Sequence, residues 1–163
     1  MNMLPSTRDE VHRAVTALAL RDDQIRLLSP YQYRQVLGQV AEAFLTVGTK
    51  GLGYYWWWEV LREPHVSRHT GSSSLAVLSS LLPSDETVWF LANDTSKKQD
   101  AFWVYEEKTG SIVRVLRECY GFEYFVVSKR LDWLVGEHHS EVLVAAGERM
   151  TKALESARPS SVT

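Results

Sequence analysis

The chain has 163 residues, of which 45% are hydrophobic and 23% charged, with a formal net charge of −2. That length can bury a core without disulfides, and that composition excludes a disordered chain. Its 18 basic and 20 acidic residues are scattered rather than blocked, so the basic stripe that draws proteins onto nucleic acid or anionic lipid is missing.

The first helix is predicted from Thr7-Arg8-Asp9-Glu10, which reads as a capping box, with Val11, Ala14, Val15 and Leu18 spaced as an inward stripe. Arg21-Asp22-Asp23 ends it. Ser29-Pro30 starts a second helix, with Gln32 completing its box. Its stripe is Tyr33, Val36, Leu37, Val40, Ala41 and Phe44, and Gly48 is placed to stop it. Gly51-Leu52-Gly53 reads as a loop, and the polar stretch from His65 to Ser74 as an exposed one. A third helix is expected from the Ser72-Ser73-Ser74 cap through Leu75, Leu78 and Leu82 to Pro83.

The second half turns to strands. Val88 to Ala92 and Phe102 to Tyr105 are separated by a polar link too short for a parallel crossover, so they are expected to pair antiparallel. Lys108-Thr109-Gly110 is a turn, and Ser111 caps a short helix with Ile112, Val115, Leu116 and Cys119 on one stripe, followed by Gly121. From Phe122 to Glu148 two apolar runs, Tyr124 to Val127 and Val142 to Ala146, flank Trp133, Leu134 and the block Glu137-His138-His139-Ser140-Glu141. They read as two strands with the polar block at their connection. Trp133 is expected to be buried between them. Glu148 to Ala157 forms a last short helix. The whole is an α+β fold: one domain over 1–158, with an antiparallel or mixed sheet of about four or five strands, helices packed on it, and a frayed tail at 159–163.

Glu123-Tyr124-Phe125-Val126-Val127-Ser128-Lys129, then Asp132-Trp133-Leu134 and His138-His139, with a closing V-L-x-x-x-G, resembles a group of small bacterial proteins. Leu82-Pro83 ahead of a Trp-Phe strand resembles the SUKH-like immunity proteins, which bind and neutralise partners without catalysis. The resemblance implies a bacterial, cytoplasmic, non-enzymatic protein and supplies no catalytic residue. The residues themselves also point to the cytoplasm. The lone Cys119 cannot close an internal disulfide, and Pro5, Asp9 and Glu10 precede any apolar run, unlike a signal peptide. No run nears the roughly 18 apolar residues of a membrane span.

Two constellations could carry function. Tyr54, Tyr55, Trp56, Trp57 and Trp58 place five rings in succession, and neither strand nor helix can turn all five to one core face. At least two are expected to line a groove or a contact with another protein or a second copy, because Trp and Tyr dominate interface anchors. The same rings could stack on nucleobases, but the chain lacks the positive groove such platforms carry, so nucleic acid is not expected. Glu137, His138 and His139 are the second constellation, a candidate metal set. Adjacent histidines diverge on strand or helix, so a structural role is the simpler reading. His65 and His69 have an i, i+4 spacing, but Val66 stands where a zinc-protease motif needs Glu. No nucleophile elbow, phosphate loop or cofactor motif is present. The leading expectation is a non-catalytic protein-binding module, immunity-like, with no cofactor. The alternative is a small metal-dependent enzyme or metal-binding protein using Glu137-His138-His139.

Overall fold

A computed structural model describes residues 6–53, 56–97, 101–138 and 141–158. Five α-helices, α1 (Thr7–Ala17), α2 (Pro30–Phe44), α3 (Ser74–Leu81), α4 (Thr109–Glu118) and α5 (Glu148–Ser156), surround seven strands. The strands are β1 (Ile25–Leu27), β2 (His65–His69), β3 (Thr87–Asn93), β4 (Phe102–Lys108), β5 (Tyr124–Ser128), β6 (Leu134–His138) and β7 (Val142–Ala146). They form one sheet in the order β1-β4-β3-β5-β6-β7-β2, with every pairing antiparallel. The expected α+β class and antiparallel pairing hold, with seven strands in place of four or five.

Because side chains alternate along each strand, the sheet buries both faces. One face takes α1, α3, α4 and α5 over Val88, Phe90, Tyr124, Val126, Val135, Leu143 and Ala145. The other takes α2 and the 3-10 segments Gly48–Gly53 and Trp57–Glu59 over Leu91, Phe102, Val104, Phe125, Val127, Leu134 and Val144. The second helix matches its reading: Ser29 caps it, with both bonds of the box to Gln32 in place.

Other expectations are corrected. Ser6, not Thr7, caps α1 by accepting from Asp9 N, and Thr7 Oγ1 instead donates to Asn93 O. α2 stops at Phe44, four residues before Gly48, because Phe44 O and Thr46 N pair with Arg62 and Val60, and Leu45 bridges Leu61. The Gly51-Leu52-Gly53 loop is the end of a 3-10 turn. The segment expected as a loop from His65 to Ser74 contains β2, a 3-10 turn at Gly71–Ser73 and the first residue of α3. As an edge strand β2 borrows its order from the apolar β7 beside it and needs no apolar alternation of its own. α4 begins at Thr109 with Lys108 at the cap position, while Ser111, inside the first turn, donates to Glu107 Oε2 at 2.7 Å. Cys119 lies just past α4 and is half-buried.

The stretch from Phe122 to Glu148 holds three strands rather than two. The apolar run Leu134 to Gly136 continues into Glu137 and His138, so these polar residues belong to β6 and not to a connection. Trp133 leads into β6 and is 2% exposed, in the core of the helix-rich face.

Candidate functional site

The aromatic run begins beyond a glycine-rich turn. Gly51 lets the chain pass over Leu45, where a Cβ would lie 2.4 Å from Leu45 Cδ1. The Gly51 carbonyl then accepts from Trp57 Nε1 at 2.8 Å. Trp57 is fully buried, its ring 4.7 Å from Phe102 and 6.1 Å from Phe125. Gly136 on β6 makes room for that stack, since a Cβ there would meet the Phe125 ring at 2.5 Å and Tyr124 O at 2.3 Å. Trp58 is half-buried and stacks on the His138 imidazole, centroids 4.2 Å apart and planes at 15°. Trp56, on the other side of the anchor, is 55% exposed. The run thus divides: one ring in the core, one on a histidine at the sheet surface, one in solvent. Tyr54 and Tyr55 lie outside the described residues.

Glu137 and His138 alternate on β6 and so face opposite sides of the sheet. His138 lies with Trp58 on the α2 side, whereas Glu137 Oε1 accepts from the Tyr124 hydroxyl at 3.1 Å on the helix-rich side. These two members of the candidate metal set therefore do not converge, and His139 lies outside the described residues. His65 and His69 share one face of β2, four residues and about 13 Å apart along the strand, too far to share an ion. His65 Nε2 instead lies 3.2 Å from Glu63 Oε1. Among the described residues, no group of three His, Cys, Asp or Glu is placed to hold a metal.

Glu137 opens onto a cleft of about 360 Å³ between the start of α3 and the end of α4, walled by Ser74, Arg117, Tyr120 and Phe122. Burial pushes its carboxyl above the ordinary value; hydrogen bonds from Tyr124 and Ser74 oppose that push and the Glu141 charge adds to it. The buried Tyr124 hydroxyl requires a partner, and Glu137 is that partner. The pair is accounted for by packing.

One site of interest escaped sequence reasoning. The Glu107 carboxyl on β4 is buried against α4, with Oε1 unbonded and Oε2 accepting only from Ser111. Burial raises it to about 8. Its adjacent Glu106 pairs with Lys129 at 2.6 Å on the opposite face, which holds the Glu106 carboxyl below its ordinary value. In the sequence the two look like one solvated acidic pair; strand alternation separates them.

Fold and surface define a single-domain α+β protein whose antiparallel sheet lies between two helical layers. The chain belongs to the family of unknown function DUF6756, whose model matches residues 3–158. No curated protein and no solved structure matches it. No helix among the described residues is long and apolar enough to cross a membrane.

Proposed function

We propose that this protein is a non-catalytic protein-binding module of a bacterial cytoplasm, immunity-like in mode, acting through the surface around Trp56. The observation that carries this reading is an indole 55% exposed immediately beside one that is wholly buried and hydrogen-bonded to Gly51. An interface anchor is most effective when the fold has already met its ordering cost, and Trp is enriched among such anchors. Trp57 supplies that anchoring. Beyond Trp58 and its histidine, the chain runs into β2, whose outer edge pairs with no other strand among the described residues. Such an edge can take an extended segment of a partner by main-chain hydrogen bonds. The Leu82-Pro83 step ahead of Trp89-Phe90 adds the resemblance to SUKH-like immunity proteins.

The partner is another protein or a second copy of the chain. Trp56→Ser should leave the melting temperature within a degree or so of wild type, because a half-exposed ring gives up little burial. Sedimentation equilibrium of the purified protein, and titration against the products of neighbouring genes, measure the contact. The variant should weaken whichever association is found by about thirtyfold or more, the hot-spot range. Equal association by wild type and variant would remove Trp56 from the interface and this reading with it.

A further inference from the structure

The two margins of the sheet differ in what they leave open. β1 is three residues long, and its Arg26 reaches across to Glu106. β2 is five residues long and carries no lysine, no proline and no bulge within it, the devices that blunt an edge. Its arginine, Arg68, is turned to the carbonyls that end α5.

Which backbone groups β2 presents outward follows from its register with β7. Pro64 O accepts from Gly147 N, and Thr70 N donates to Glu141 O. Residues of an antiparallel ladder exchange bonds at alternate positions. Val66 and Arg68 are therefore the residues that bond β7, opposite Ala145 and Leu143. The N–H and C=O groups of His65, Ser67 and His69 point the other way, off the sheet. Among the described residues they meet no other strand. The His65 N–H is covered by Glu63 Oε2 at 3.4 Å, a contact long enough to yield to a carbonyl.

Three open residues spaced evenly about Ser67 are their own complement. A second β2, turned by a two-fold axis through Ser67, runs antiparallel to the first. It sets His65 against the second copy's His69, Ser67 against Ser67, and His69 against His65. Every opposed pair then has its N–H and C=O groups facing the seam, and each can exchange two hydrogen bonds. On the other face Val66 stands opposite Arg68, whose guanidinium α5 already holds. No lysine, arginine or carboxylate lies directly opposite its own kind across the seam. A foreign strand would have to bring a matching phase and length, whereas the chain supplies both by symmetry.

We propose that β2 is a homodimer seam, at which two copies join their sheets antiparallel about Ser67. Two five-residue strands bury little area, so the dimer is weak and reversible. This inference takes from the reading above only the open edge, and it does not need Trp56.

Sedimentation of the purified chain from micromolar to submillimolar concentration should show a monomer–dimer equilibrium. Ser67→Pro removes the central outward N–H and touches no bond to β7, and an edge strand tolerates it. The variant should melt near wild type and stay monomeric throughout that range. Register is read by cysteine crosslinking in a Cys119→Ser background. Ser67→Cys brings two thiols together at the axis, with Cα atoms about 5.5 Å apart, within disulfide reach. His65→Cys leaves them four residues, about 13 Å, apart along the seam and out of reach. Mild oxidation should therefore link Ser67→Cys chains in pairs and leave His65→Cys chains single. A wild-type chain that stays monomeric at submillimolar concentration overturns the proposal, as does a dimer that Ser67→Pro leaves intact. If Ser67→Pro does not fold, the crosslinks decide: no Ser67→Cys pairs, or equal linking through His65→Cys, overturns it. A dimer lost in Trp56→Ser but kept in Ser67→Pro sinks the seam and spares the indole reading; the reverse pattern spares the seam.

Discussion

Trp133 stands at the entry to β6, and Gly147, with φ +90, passes close behind it: a Cβ there would lie 3.1 Å from Trp133 Cα. Truncating so buried a ring leaves a cavity that this tight backbone cannot collapse to fill. Trp133→Ala should cost about 3–5 kcal/mol, read as a drop in urea midpoint at constant slope. Glu107 makes a different kind of residue-scale prediction. Its carboxyl lies near 4.5 when ordinary and is raised to about 8 in the fold. Between those values the folded chain holds a proton that the unfolded chain has released, so stability falls as pH rises through the window and levels off above it. Glu137 is shifted in the same direction and adds to the slope. Urea midpoints measured between pH 5 and pH 8, bounds set by the ~1-unit spread of carboxyl values in proteins, should therefore decline. Glu107→Gln should flatten most of that decline; a variant with the wild-type slope would assign it to other groups.

At the scale of elements, legibility followed local chemistry. α2 could be read to its first residue because Ser29, Pro30 and Gln32 specify a cap without help from the rest of the fold. Ser29→Ala should cost about 1 kcal/mol in thermal or urea unfolding. β3, β4, β5 and β7 were legible as apolar runs. β1 has three residues, too few for any period to show, and β6 hides behind Gly136, whose missing side chain serves the Phe125–Trp57 stack. β2 looked like a loop because His65, Ser67 and His69 are polar, yet its order comes from β7 and from a tie no local pattern encodes. Arg68 Nη1 donates to Leu154 O at 3.0 Å and also to Ala157 O, closing the C-terminal end of α5. A cation there satisfies carbonyls that the helix cannot. Arg68→Met should cost about 1.5–3 kcal/mol, the range for hydrogen bonds to a charged group, and hydrogen exchange should quicken first in α5. In the candidate site, the exposure of Trp56 and the burial of Trp57 were beyond the sequence, since five like rings carry no sign of which turns inward.

Considered whole, the molecule has two half-cores sharing one sheet, with Trp133 in one and Trp57 in the other. Neither helical layer has another surface to cover, so loss of the sheet exposes both at once. Unfolding should be a single transition. Tryptophan fluorescence of Trp57→Phe and Trp133→Phe variants, each recorded against that variant's far-UV signal, should coincide within error. Separated curves would mean that one layer detaches alone.

The order of strands in the sheet bears on how the chain is born. β3 to β7 make up the continuous centre of the sheet, while β1 and β2, made first, close onto β4 and β7 at the two margins. A ribosome must add roughly 70 residues between His69 and its partner Val142, roughly 4–14 s at about 5–20 residues per second. Until β3, β4 and β5 are made, the apolar stripe of α2, from Tyr33 to Phe44, and the Trp57 ring beyond it have no sheet to cover. The amino-terminal half is thus a passenger awaiting its platform. Nascent chains stalled before Val88 should be bound by chaperones that capture apolar segments, and chains released with the central strands complete should not.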